Sequence, residues 1–100
     1  MSLRSQIKDI MELKELQKLI DSKEVIGVDL SGQKLEKVDF SGCRIERTSF
    51  KGCELIHCRF RNAKISWSDF RYAEIQHGTF EGAEIDFSDF YRAFIDGVVI

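Results

Sequence analysis

Pairs of carboxylates are plentiful in this sequence but without a pocket point weakly to catalysis, and the spacing of its cysteines and histidines limits what other chemistry it could do. Cys43, Cys53 and Cys58 make up its three cysteines. That odd number, with no C-x-x-C pair, indicates neither a disulfide framework nor a zinc site. His57 and His77 are twenty residues apart, but two imidazoles fall short of the three protein ligands a catalytic zinc needs. Arg47, Trp67 and Phe87 follow one another at the same interval of twenty. A cation beside two aromatic side chains is the composition of an interface hot spot. The sequence holds no nucleophile elbow, P-loop, zincin helix or Gly-rich dinucleotide fingerprint. The expectation is a protein that is not an enzyme, with no cofactor and no metal.

Charge narrows the partners. The 15 Lys and Arg nearly balance the 17 Asp and Glu, which argues against direct nucleic-acid binding by phosphate neutralisation. The balance is uneven along the chain, however. Residues 27–68 carry eight basic and five acidic side chains, net +3, whereas residues 69–100 carry two basic and seven acidic, net −5. Within that acidic half, Glu81, Glu84 and Asp86 form a candidate acidic face. No apolar run approaches the roughly 18 residues needed to cross a bilayer, and the first residues lack a signal-peptide pattern. With unpaired cysteines besides, the expected location is the cytoplasm and no membrane partner is expected.

The elements that would position these residues follow from two periodicities. Residues 3 to 24 place Leu3, Ile7, Ile10, Met11, Leu13, Leu16, Leu19 and Ile20 at steps mostly of three and four, on one side of an α-helix. Ser2 or Ser5 is expected to cap its start, and Asp21-Ser22 marks its end. A helix this short draws its stability from packing, so its apolar side must cover something.

From Val28 onward the period is five. Positions 30, 35, 40 and so on to 100 are all Leu, Ile or Phe, and two residues before each lies a second register of mostly small side chains, broken by Gln33. An α-helix turns five residues through some 500°, and a straight strand flips an odd step to the other side. Neither keeps these residues inside. A chain that turns one corner per pentad does. From residue 40 the centres mostly alternate Phe with Ile or Leu, and Gly42, Gly52, Asn62 and Gly82 follow the aromatic centres by two. An even number of sides stacks like on like, and four is the smallest that encloses a core.

In that square coil residues twenty apart lie about 4.8 Å apart along the axis. The inner columns are Leu30-Phe50-Phe70-Phe90, Leu35-Leu55-Ile75-Ile95, Phe40-Phe60-Phe80-Ile100 and Ile45-Ile65-Ile85. Gly or Asn at the aromatic-centred corners fits a type II turn, which needs a positive φ at its third residue. The other corners carry Lys37, Arg47, His57, Trp67, His77 and Phe87, where a different, non-glycine turn is expected. The cysteines fall in the small inward register and are expected to pack as small hydrophobes. His57 and His77 fall in an outward column, expected to be ordinary surface.

Residues 28 to 100 resemble a pentapeptide-repeat protein, whose pattern is Ala-(Asp/Asn)-Leu-x-x. The stretches AKISW, AEIQH and AEIDF carry its small first residue, and VDFSG and SDFRY its Asp before the centre. The resemblance implies an all-β solenoid, a right-handed quadrilateral β-helix, here with an N-terminal capping helix over 1–26 and about three and a half coils over 27–100. Some members of the family resemble a DNA duplex in shape and charge and bind type II topoisomerases. The resemblance therefore also implies a DNA-mimicking alternative through Glu81, Glu84 and Asp86. The first expectation remains a non-catalytic scaffold that binds a protein partner through Arg47, Trp67 and Phe87. The last coil, with Phe94 and Val99 expected outward and Ile100 at its end, is expected either to pair with a second copy as a homodimer or to continue into further chain.

Overall fold

A computed structural model describes residues 12–100. The helix residues expected before Glu12, including the caps at Ser2 or Ser5, lie outside the described residues. Helix α1 spans Leu13–Ser22 and ends where Lys23 turns left-handed, at φ 68°. Leu16 and Ile20 are buried while Leu13 is exposed, so the helix lays one side on the first coil. Eight short strands follow: β1 (Glu24–Ile26), β2 (Lys34–Glu36), β3 (Arg44–Glu46), β4 (Glu54–Ile56), β5 (Lys64–Ser66), β6 (Glu74–Gln76), β7 (Glu84–Asp86) and β8 (Phe94–Asp96). They form two parallel sheets ordered β1-β3-β5-β7 and β2-β4-β6-β8.

Every pairing joins residues twenty apart, as in Val25↔Ile45 and Leu55↔Ile75. The chain is a β-solenoid with four sides to each coil. The aliphatic-centred sides make the strands, and the aromatic-centred sides pair only through single bridges such as Ser49↔Asp69. The difference follows from the turns. After each aromatic-side centre, its carbonyl accepts the N–H three residues on, as Phe40 accepts from Cys43 at 3.1 Å and Phe50 from Cys53 at 3.0 Å. A carbonyl committed to its own corner is lost to the inter-coil ladder, so the strand cannot lengthen.

The expected glycine corners hold, with Gly42 at φ 71° and Asn62 at φ 58°. The other corners also place one residue left-handed, Arg47 at 47°, Trp67 at 53° and Phe87 at 53°. Here the N–H that would close a β-turn goes elsewhere. Thr48 N–H donates to the Ser68 hydroxyl at 3.3 Å, and Ser68 N–H to that of Ser88 at 3.1 Å. The Thr48 hydroxyl donates in turn to the Val25 carbonyl at 3.1 Å. Thus the polar members of the small register carry a hydroxyl ladder that offsets their burial. Directly before the centres of the aromatic-centred sides, Leu30, Phe40, Phe70 and Phe90, the carboxylates Asp29, Asp39, Asp69 and Asp89 each accept the N–H two residues on at 2.9 Å. Hydrogen bonds from Ser31, Ser41 and Arg71 hold Asp29, Asp39 and Asp69 below the usual carboxylate range.

Inside, Phe40, Phe60 and Phe80 stack at 4.8 and 4.6 Å between ring centroids, and Phe50, Phe70 and Phe90 at 4.6 and 4.6 Å. The two stacks meet edge to face, from 5.6 Å for Phe40–Phe50 to 6.5 Å for Phe70–Phe80. Both geometries suit the quadrupole of the rings. The fourth column gains Val25, fully buried and paired in register with Ile45. The first coil therefore starts at Glu24, inside the segment the sequence assigned to the helix, and four coils are present. Gly78 is required in the small register, because a Cβ there would run into the Cys58 carbonyl oxygen.

The three cysteines are buried and unpaired. The Cys53 thiol donates to the Leu30 carbonyl at 2.9 Å, and burial pushes it up to about 11. Burial likewise raises Cys43 and Cys58. Only thiolate reacts with alkylating reagents. At pH 8 all three thiols should resist iodoacetamide in the folded protein and react together once urea unfolds it. Labelling of Cys53 at the unfolded rate without denaturant would contradict its place in the core.

Candidate protein-interaction surface

The sides of the coil decide which outward residues meet. Trp67 and Phe87 occupy one corner of the third and fourth coils, each leaving a strand (β5, β7) and entering an aromatic-centred side. Their rings stack at 4.6 Å and 10° between planes. The column expected from the spacing is present, yet it covers little, since Trp67 is 62% and Phe87 74% exposed. Arg47 sits at the same corner one coil earlier, its Nη1 3.8 Å from Glu46 Oε1. Among the described residues the cation lying over a ring is instead Arg92, 5.4 Å from the centre of Tyr91.

That contact belongs to a group the sequence reading did not single out. Tyr72 and Tyr91 meet edge to face at 5.9 Å across the next corner. The signal was available, an aromatic residue directly after or two after Phe70 and Phe90, but it broke the twenty-residue spacing. One side of coils three and four is therefore bordered by Trp67 and Phe87 at one corner and by Tyr72, Tyr91 and Arg92 at the other. Asp69, Arg71 and Asp89 lie between, with Asp69 held by Arg71 through bonds of 2.9 and 2.8 Å.

The acidic residues split. Glu84 and Asp86 flank Ile85 on β7 and share one outward face. Glu81 lies around the preceding corner, 3.3 Å from Arg61. Up the face of β1-β3-β5-β7 the first outward column runs Glu24, Arg44, Lys64, Glu84. Arg44 ties Glu46 at 2.8 Å and Glu24 at 3.5 Å. Glu84 and Asp86 have no ion-pair partner among the described residues.

His57 and His77 stack at 5.3 Å, 26° from parallel, with Lys37 before them and Gly97 after. A Cβ on Gly97 would stand 2.8 Å from His77 Nδ1, so a side chain there would require the His77 ring to shift. Among the described residues no group of three or more His, Cys, Asp or Glu is placed to hold a metal ion. In the last coil Phe94 and Val99 point outward and are exposed, and Ile100 is 92% exposed. Phe80, Ile85, Phe90, Ile95, Val98 and Ile100 line an open apolar hollow of about 190 Å³ there. Among the described residues no helix is long and apolar enough to cross a membrane.

Compared with known proteins, residues 25–98 match the family described as the pentapeptide repeat region. A pentapeptide repeat protein of the Arabidopsis thaliana thylakoid lumen shares 19% identity at a TM-score of 0.31, covering 71% of this chain and 61% of that one. The chain thus spans under two thirds of that protein's length. The pentapeptide repeat protein Rfr23 of the cyanobacterium Cyanothece 51142 shares 10% identity at a TM-score of 0.35, covering 86% of this chain and 92% of that one. No curated protein matches.

Proposed function

Since the chain belongs to the pentapeptide-repeat family, we propose that it is a non-catalytic scaffold that binds another protein, with the Arg47-Trp67-Phe87 corner as its main contact. The stacked and exposed Trp67 and Phe87 carry this reading. Large rings left in water on a regular surface are what interface anchors look like before the partner arrives. The apolar residues of the last coil, Phe94, Val99 and Ile100, provide a second contact, for a partner or for another copy of the chain. Three free thiols suit a reducing compartment such as the cytoplasm.

The DNA-mimicking alternative needs a continuous anionic surface. The alternation of Glu24, Arg44, Lys64 and Glu84 and the pairing of Glu81 with Arg61 favour the scaffold reading over it.

Trp67→Ala tests the assignment. Removal of a true anchor costs about 2 kcal/mol or more of binding, roughly thirtyfold in affinity. A partner captured from lysate by the wild-type protein should be lost by the variant, with the far-UV circular dichroism of the coil retained. Equal capture by both proteins would refute the contact.

A further inference from the structure

We propose that the Trp67–Phe87 ridge takes an extended, arginine- or lysine-rich segment of a partner protein. The inference rests on the scaffold reading and specifies the partner's chemistry. Exposed aromatic residues alone would fit any apolar surface, but these rings are bracketed by carboxylates. Asp86 immediately precedes Phe87 on one side of the corner, with Glu84 behind it on β7. Asp89 follows on the other side, its Oδ1 accepting the Tyr91 N–H at 2.9 Å. In the two strand columns that hold Glu84 and Asp86, the carboxylates of the first two coils are neutralised internally, Glu24 and Glu46 both by Arg44. In the fourth coil Glu84 and Asp86 have no ion pair among the described residues, whereas Asp89 lies in the field of Arg71. Lys64 is the register neighbour of Glu84 and makes no such pair with it.

The missing counter-charge is thus left for a partner to supply. The surrounding half of the chain, residues 69–100, carries net −5 and draws cations toward the site. Arginine and lysine fit both parts of the surface, since their methylene stems pack against rings while the charged ends reach carboxylates. The ridge is convex and open, so a small cation would keep most of its water there. A chain segment gains by spanning it: side chains two residues apart in an extended peptide point the same way, about 6.6 Å apart. Successive cations then meet Glu84 and Asp86, two residues apart on the outward face of β7 beside Phe87.

Trp67 is the single tryptophan of the sequence, so its emission reports on the site itself. Titration with an eight-residue peptide of alternating Arg and Ala at low salt should shift that emission saturably. The matching Glu-Ala peptide should not. Glu84→Gln combined with Asp86→Asn keeps side-chain shape and should weaken Arg-peptide binding about fivefold, the order expected for two exposed ion pairs. Added salt should weaken wild-type binding. No shift at millimolar Arg peptide, an equal shift with the Glu peptide, or unchanged affinity in the double variant would each overturn the proposal. If the Arg peptide is silent while Trp67→Ala still loses a captured partner, the contact surface stands and its cationic partner falls.

Discussion

Phe70→Ala is expected to destabilise the protein by about 3–5 kcal/mol, the range for removing a buried phenylalanine. Phe70 is fully buried. It stacks on both Phe50 and Phe90 at 4.6 Å and meets Phe60 and Phe80 edge to face at 6.2 and 6.5 Å. Few positions engage so many rings at once, so truncation leaves a cavity at the junction of both stacks. Native stability of a domain is typically about 5–15 kcal/mol, so the loss is a large share of it. Phe70→Leu keeps most of the volume and should cost less, about 1–2 kcal/mol. Urea titrations followed by far-UV circular dichroism give both values. A loss below about 1 kcal/mol for the alanine variant would show that the rings do not hold the coils together.

Leu16→Ala should cost about 2–4 kcal/mol, and Leu13→Ala, at an exposed position one turn earlier, less than about 0.5 kcal/mol. Leu16 is 2% exposed and packs with Ile20 and Val25 in the core, whereas Leu13 is 60% exposed. The contrast separates a helix that covers the first coil from one that is merely attached to it. Solenoid coils touch only their neighbours. The damage should therefore begin at the near end, with amide exchange quickening first around Val25 and Leu30. Equal effects of the two substitutions would contradict the orientation of α1.

Much of this architecture was legible in the sequence, because a square coil imposes one inward residue every five. The columns through Phe50, Phe60 and Ile65 follow from that spacing, as do the glycine corners at Gly42 and Gly52. Val25 was not legible. It lies in step with Leu30, but its own small-register partner is Lys23, which leaves α1 left-handed at φ 68°. The pattern of the helix and that of the coil overlap there. Nor did the spacing show that Trp67 and Phe87 adopt positive φ, which large side chains seldom do. The hydroxyl ladder of Thr48, Ser68 and Ser88, which takes up the amides that follow Arg47 and Trp67, depends on distances that no spacing records. The surface was partly legible. The Trp67–Phe87 stack follows from the interval of twenty, whereas the Tyr72, Tyr91 and Arg92 group and the lack of counter-ions around Asp86 needed coordinates.

The most direct test of the account is a nuclear Overhauser experiment on protein with labelled phenylalanine rings. Contacts are expected from Phe70 to Phe50 and Phe90, each 4.6 Å away between centroids, and from Phe60 to Phe40 and Phe80, 4.8 and 4.6 Å away. Phe50 and Phe90 should show none to each other. Absence of the Phe70 contacts, or a direct one between Phe50 and Phe90, would mean that side chains twenty apart do not stack, and the corner built from Trp67 and Phe87 would go with them.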